Sequence, residues 1–378
     1  MPVSPVYLER RRQRLASRLE EQGLEALIVA SLPNIRYLTN FAGSAAVLVA
    51  TQAQLYLLTD FRYSAAVDDL LASEAAPPRT TVVTVEGSYD EALVRALLDL
   101  GLRRVGFEAE HVTVGQHARW ASRLPPEDGP ALHATESMVE ALRIVKDEAE
   151  LAALREAADR LSRVARGVLE EVAAPGRSER EVAADIDWRL KRAGFERTAF
   201  DTIVASGPNA ALPHARPTDR RIEAGELLLL DFGGVYDGYC VDLTRTVATG
   251  EPVAAEARRL YRAVLAARDA AIAAVRPGVP ADEVDRAART VLEAEGLGAA
   301  FGHGTGHGLG LEVHEEPRVT RRRPGGPEPR TLEAGMVFTI EPGAYVPRFG
   351  GVRLEDDVLV TPQGCEVLTR VPFDDRLR

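Results

Sequence analysis

Two stretches of this chain repeat each other, and that repeat constrains the fold more than any other feature. IEAGELLLLDFG (222–233) and LEAGMVFTIEPG (332–343) match position by position at an offset of 110, so that Asp231 falls on Glu341. Upstream, PGRSEREV (175–182) resembles PGVPADEV (277–284) in the same order. Each of these stretches opens a helix: Ser178 is a candidate N-cap in the first, and Asp282 sits in the first turn of the second. Taken singly, EAG before a strand is a common turn. Two matches in one order predict a duplicated α+β half, roughly 140–250 and 254–365. Such a duplication places the acidic residues of both copies around one pseudo-twofold axis, where ligands often sit.

Before the repeat the pattern differs. EALIVA, AAVLVAT, LYLLTD, TVVTV and VGFEA read as short strands, and LERRRQRLASRLEEQG, FRYSAAVDDLLAS and YDEALVRALLDLG as amphipathic helices. This alternation predicts an α/β layer. The turn-rich PPEDGP (125–130) is read as a linker, and a strong helix signal begins after it at ESMVEALRIVKDEAEL. The expected organisation is an α/β domain over 1–134 and a catalytic domain over 135–378. A chain of 378 residues is long enough for two domains. Its net charge of −11 argues against nucleic acid as a partner. No apolar run approaches the ~20 residues needed to span a bilayer, so no membrane is expected. Two cysteines are no disulfide scaffold, and the N-terminal stretch turns charged where a signal peptide would be apolar. The expected compartment is the cytoplasm.

The chemistry begins in LLLLDFGGVYDGYCVDLTRT (227–246), where a run of four leucines ends in Asp231 and Asp242 follows. Asp237-Gly238 between them is a hairpin-turn signal. With the turn at 236–237, residues 231 and 242 are opposite each other. With the turn at 237–238, 231 is opposite 244 and 242 opposite 233. In both registers the two aspartates share a face, because side chains alternate along strands. Two like charges on a half-buried face are destabilising unless something neutralises them, and a bound cation does so. The alternative is one turn residue and one solvated strand end. The repeat adds Glu341 at the position of Asp231, and GGVRLEDDV supplies Glu355 on the next strand-like run. Four carboxylates from two hairpins result.

Of seven histidines, four cluster in two short stretches: His214 in PHARP, and His303, His307 and His314 in FGHGTGHGLGLEVHE. Packing explains three histidines in twelve glycine-rich residues poorly, and glycine lets backbone approach a ligand closely. The spacing is not that of H-E-x-x-H helices, and the cysteine ligands of structural zinc are missing. Four carboxylates with imidazole suit Mn²⁺, Co²⁺, Zn²⁺ or Fe²⁺, and exceed what one catalytic zinc uses; they are enough for a metal pair.

SGPNAALPHARP, DFGGVYDGYCVDLTRT, HGTGHGLGLEVHE, FTIEPG and GGVRLEDDV together resemble the pita-bread metallopeptidases, in the Xaa-Pro peptidase branch of prolidase and aminopeptidase P. NIRYLTNFAGS and LLTDFRYSAAV resemble the creatinase/prolidase N-terminal domain. The resemblance implies an α+β fold: a duplicated pita-bread catalytic domain preceded by a smaller α/β domain. It implies five ligands, Asp231, Asp242, His307, Glu341 and Glu355, holding two divalent ions, Mn²⁺ first, with Co, Zn or Fe as alternatives. Asp242 and Glu355 would bridge the ions; Asp231 would hold one, and His307 with Glu341 the other. His214 and His314 resemble the pair that orients substrate and stabilises the oxyanion. Glu341 resembles the proton shuttle, and His303 is expected near the site and is grouped with the catalytic residues. Arg353 and Tyr345 resemble residues that support the ligands from behind. The implied reaction is hydrolysis of the bond before proline in a di- or oligopeptide, by a homodimer.

Within that reading, a dipeptidase is expected ahead of an aminopeptidase P, because RVTRRRPGGPEPR (318–330) places five arginines where a clamp for a substrate carboxylate would serve. A solvated loop is the plainer reading of that stretch. A metal-free, creatinase-like C–N hydrolase and a non-enzymatic binding module are the remoter alternatives; both lack the ligand set present here. The DFG at 231–233 also occurs in protein kinases, but no phosphate loop or H-R-D loop accompanies it.

Overall fold

The computed structural model describes residues 3–171, 173–326 and 328–378. The chain divides into two units, Met1–Arg143 and Ile144–Arg378.

The first unit contains helices α1 (Pro5–Glu21), α2 (Leu32–Thr39), α3 (Ser64–Ala72), α4 (Tyr89–Asp99), α5 (Val114–Arg123) and α6 (Glu140–Arg143). Its strands are β1 (Ala26–Val29), β2 (Val47–Thr51), β3 (Leu55–Asp60), β4 (Thr80–Val85), β5 (Arg104–Glu108) and β6 (Ala131–Thr135). They form one mixed sheet of order β4-β3-β2-β1-β5-β6. Parallel pairs (β3 with β4, β1 with β5, β5 with β6) flank the antiparallel β1-β2-β3 meander. β1 is buried at every position, which is why ALIV reads as a continuous apolar run.

The unit extends past the expected boundary at 134, and PPEDGP is an internal turn rather than a domain linker. Ala131–Thr135 is the sixth strand of the sheet, and Arg143 and Glu140 are both hydrogen-bonded to Asn34 of α2, each at 2.6 Å. The helix expected from 136 onward is likewise two helices. The break at 144–147 allows Val145 to bridge Met336, with Lys146 N–H donating to Gly335 O at 2.9 Å.

The second unit opens with α7 (Glu148–Glu171) and α8 (Glu179–Arg192). Ser178 caps α8 in a reciprocal box with Glu181, the Ser/x/x/Glu pattern that satisfies two orphan N–H groups at a helix start. Strands β7 (Arg197–Thr198), β8 (Ile203–Ser206), β9 (Leu227–Tyr236) and β10 (Tyr239–Ala248) form the first sheet. Then α9 (Ala255–Ala274) and α10 (Ala281–Ala294) repeat the helix pair, and Asp282 lies in the first turn of α10. The second sheet comprises β11 (Gly306–Gly308), β12 (Glu315–Val319), β13 (Val337–Ile340), β16 (Asp356–Thr361) and β17 (Gly364–Val367); β14 (Gly343–Val346) and β15 (Gly350–Arg353) pair separately. Helix pair then sheet thus occurs twice, in the order the sequence repeat implies.

The four leucines of β9 are at most 3% exposed. They do not alternate because both faces of the strand are covered. α7 packs against it, and Leu229 clusters with Ala205, Ala210, Ala215 and Tyr345. No described helix is long and apolar enough to cross a membrane.

Candidate metal centre

The β9–β10 hairpin turns at Asp237-Gly238, both with positive φ (51° and 80°), as a two-residue primed turn requires. This selects the second of the two registers: Asp231 is opposite Thr244, and Asp242 opposite Gly233. Both aspartates fall on one face and both are buried (7% and 5% exposed). Asp231 Oδ1 and Asp242 Oδ1 have no hydrogen-bond partner among the described residues. An orphaned buried carboxylate oxygen costs free energy, so two on one face mark a place prepared for a cation.

The second hairpin is not a plain copy of the first. β13 and β16 pair up to Ile340↔Asp356, β14 and β15 pair from Gly343↔Arg353, and both strands are interrupted between. Glu341 lies in one interruption and Glu355 in the other. The backbone N–H groups there are spent elsewhere: Glu341 N–H donates to Thr305 O (2.7 Å) and Glu355 N–H to Thr244 O (3.1 Å). The kinks redirect both carboxylates to the first hairpin. Of the three consecutive acids in LEDDV, only Glu355 lines the cavity. Asp356 is paired with Arg245 (2.7 Å) and Arg268, and Asp357 accepts the backbone N–H of Asp242 at 3.1 Å.

His307 reaches the same place from β11. A carbonyl only accepts, so the 3.1 Å contact to Gly308 O puts the proton on Nδ1 and leaves the Nε2 lone pair for a ligand. Nε2 lies 3.7 Å from Glu341 Oε1 and 3.9 Å from Asp242 Oδ2. Asp242, His307 and Glu355 offer donor atoms within 4.8 Å of one another. The glycines around His307 serve the sheet rather than a ligand: a Cβ on Gly306 would stand 1.8 Å from Thr339 O, and one on Gly308 2.2 Å from Glu316 O.

The electrostatics agree with a cation site. Burial first, then the charges of Asp231, Asp357 and Glu341, hold the Asp242 carboxyl well above its usual range. Burial and the charges of Asp242, Glu341 and Asp231 do the same to Glu355. Burial pushes Glu341 up to about 7, against the lowering pull of Arg353. Burial also presses His307 down to about 3, keeping its imidazole neutral and able to coordinate. Buried carboxylates that resist ionisation beside a neutral imidazole fit divalent metal, which supplies the missing positive charge. Glu110, His111 and Glu140 also approach one another in the first unit. There Glu140 is already bonded to Asn34 and His111, and no oxygen is orphaned as those of Asp231 and Asp242 are.

Behind the site runs a buried relay. Arg353 donates to Asp231 Oδ2, to Tyr345 Oη (2.8 Å) and to Thr244 Oγ1 (3.2 Å). Thr244 in turn donates to Glu355. His303 Nδ1 donates to Gly304 O at 2.7 Å, so Tyr345 Oη–H donates to His303 Nε2 at 2.9 Å. Both ring nitrogens of His303 are therefore committed, and burial lowers its pKa to about 4. This arrangement suits a positioning residue, whereas the sequence placed His303 with the catalytic groups. Replacing Arg353 by Lys, whose donors radiate from a single nitrogen and lack the planar spread that reaches Asp231, Tyr345 and Thr244 together, is expected to weaken metal binding by roughly 10–100-fold in a metal titration.

His214 and His314 line the same cavity, of about 800 Å³, which also contains Asp231, Asp242, His303, His307, Glu341 and Glu355. His314 packs its ring 4.3 Å from that of His307. Arg318 is the residue that reading the sequence did not single out from its arginine-rich stretch. It is the register partner of His307, so the two share a face. A β-bulge immediately after His307 sets this register, and no spacing rule announces it.

The sequence profile of metallopeptidase family M24 matches residues 152–362, and that of the creatinase/prolidase N-terminal domain matches residues 11–145. The chain is 32% identical over 355 residues to an Xaa-Pro dipeptidase of Pyrococcus horikoshii, covering 93% of this chain and 94% of that one. Among solved structures, an Xaa-Pro dipeptidase from Bacillus anthracis superposes with a TM-score of 0.90 at 33% identity, over 97% of this chain and 99% of the other. An X-Pro aminopeptidase from Thermotoga maritima superposes with a TM-score of 0.82 at 32% identity, over 94% and 98%.

Proposed function

The chain belongs to metallopeptidase family M24, and from that membership we propose that it is an Xaa-Pro dipeptidase, hydrolysing the bond before proline with two divalent metal ions. The observation that carries this reading is the pair of orphaned aspartate oxygens beneath a cavity that also presents an arginine to a substrate carboxylate. Asp231, Asp242, His307, Glu341 and Glu355 would hold the ions. Mn²⁺ suits this oxygen-rich set, with Co²⁺, Zn²⁺ or Fe²⁺ as alternatives. When bound, the metals polarise the scissile carbonyl and lower the pKa of water.

The protein's own groups supply the rest. Arg318 fixes the proline carboxylate, since its guanidinium fork matches that group bidentately. Glu341, whose carboxylate lines the cavity 3.7 Å from His307 Nε2, takes a proton from the attacking water on its oxygen and returns it to the departing proline nitrogen. His214 and His314, whose rings make no hydrogen bond to a described residue, donate N–H to the developing oxyanion. His314→Ala is expected to lower kcat by about 10²–10³-fold, as losing one such donor typically does, while metal content is retained. Arg353, Tyr345 and His303 hold Asp231 and its neighbours in place.

The deciding experiment compares Ala-Pro with Ala-Pro-Ala across a series of metals. Faster cleavage of the dipeptide is expected; faster cleavage of the tripeptide would assign the chain to the aminopeptidase alternative, as the Thermotoga neighbour is named. Full activity after complete chelation would return the metal-free, creatinase-like reading. A homodimer in the cytoplasm is the setting proposed, the assembly being checked by sedimentation.

A further inference from the structure

The cavity has a second chemical feature above its acidic floor. Arg318, Arg321, Arg323 and Arg330 all line it, together with Arg216 from the loop that carries His214. None of these five guanidinium groups forms an ion pair or hydrogen bond among the described residues. The two carboxylates of the same segment are already engaged: Glu328 pairs with Arg322, and Glu316 accepts the backbone N–H of Arg318 at 3.0 Å. Buried and half-buried arginines are matched, as Arg220 is with Glu226, Arg289 with Asp285 and Arg268 with Asp356; these five are exposed, and what sets them apart is their gathering at one cavity.

Acids outnumber bases by 57 to 46 in this chain, so a shortage of carboxylates does not explain the unpaired arginines. Neighbouring guanidinium groups repel one another and gain nothing from proximity until an anion joins them. Gathered at one cavity, they also focus a positive field there and raise the local concentration of anions. A dipeptide with one carboxylate engages Arg318 and leaves Arg321, Arg323 and Arg330 without a counter-charge.

We propose that Arg321, Arg323 and Arg330 form a subsite for a second substrate carboxylate, and that acidic dipeptides are the preferred substrates. In an Xaa-Pro dipeptide a second carboxylate can only be the side chain of the first residue. The class is therefore Glu-Pro and Asp-Pro. This rests on the dipeptidase reading of the same site.

The test measures kcat/KM of the metal-loaded, full-length protein for Glu-Pro, Ala-Pro and Lys-Pro at ~0.02 M and ~0.3 M ionic strength, a span over which exposed charges pass from weak to strong screening. At low salt Glu-Pro is expected to exceed Ala-Pro by about 10-fold, equivalent to ~1.4 kcal/mol, with Lys-Pro below both. High salt narrows the gap. In the Arg321→Glu/Arg323→Glu double variant the order of Glu-Pro and Lys-Pro reverses. Both positions are exposed, so this variant keeps the fold, and circular dichroism and metal content check that it does. Equal rates for Glu-Pro and Ala-Pro, or a double variant that keeps the wild-type order, would overturn the subsite while leaving the dipeptidase reading intact. If all three dipeptides are untouched and Ala-Pro-Ala is cleaved, the dipeptidase reading falls and the subsite with it.

Discussion

Asp242→Asn is expected to lower peptidase activity by on the order of 10³-fold or more, since changing groups behind a metal ligand already costs 10–100-fold. Asp242 offers its oxygen within 4.8 Å of donors from His307 and Glu355, and its Oδ1 is one of two orphaned oxygens facing the cavity. Metal analysis of the purified variant should show less than the full complement. The same substitution should raise the melting temperature of the metal-free protein. Asp242 is buried beside Asp231, Asp357 and Glu341, whose charges disfavour its ionisation. An amide of equal shape removes that repulsion. The gain is expected within the usual ~0.5–3 kcal/mol scale of single substitutions. Opposite signs in activity and apo stability separate a site residue from one that merely supports the fold. Unchanged activity on Ala-Pro would refute the assigned site.

Stripping metal from the wild-type protein should abolish activity and make stability strongly pH-dependent. Glu341, raised to about 7, and Asp242 and Glu355, raised in the same direction, bind protons more tightly folded than unfolded. A carboxyl with a raised folded pKa contributes stability that is fully present below its unfolded value and is lost as pH rises through its folded value. For Glu341 that window runs from about 4.5 to about 7. The loss is on the order of 3 kcal/mol for that group alone. The chelated protein should therefore melt highest near the acid end of this window and progressively lower towards pH 7.5 and above. Saturating metal should flatten the profile, adding ~4 kcal/mol at a thousandfold excess over Kd. Calorimetry at several pH values, with chelator and with Mn²⁺, measures both effects; a metal-free protein equally stable at pH 5 and pH 7.5 would contradict the electrostatics described.

Local rules carried far in this chain because several of its signals are short-range. Asp237-Gly238 marks a two-residue turn wherever it stands between strands, and Ser178 with Glu181 caps a helix without outside help. Two features misled. Residues 136–171 look like one helix because helix propensity does not register that Val145 is wanted as a bridge partner for Met336. The glycines beside His307 read as room for a ligand, whereas strand-to-strand contact with Thr339 and Glu316 requires them. His303 is a third instance of the same limit. Its place among histidines and glycines marks it as a site residue, but only the positions of Gly304 and Tyr345 show that both its nitrogens are spoken for.

The amino-acid sequence alone determined the duplication, the two pairs of carboxylates and the histidine cluster. Each is a pattern of residue types at set spacings, and the chain keeps such patterns whatever its conformation. Tertiary structure decided which carboxylates of a run face inward, which nitrogen of His307 is free, and which of five nearby arginines stands across from it. Those outcomes depend on strand register, on the paired interruptions at Glu341 and Glu355, and on the bulge after His307. A shift of one residue in any of these would turn every side chain in the strand to the other face.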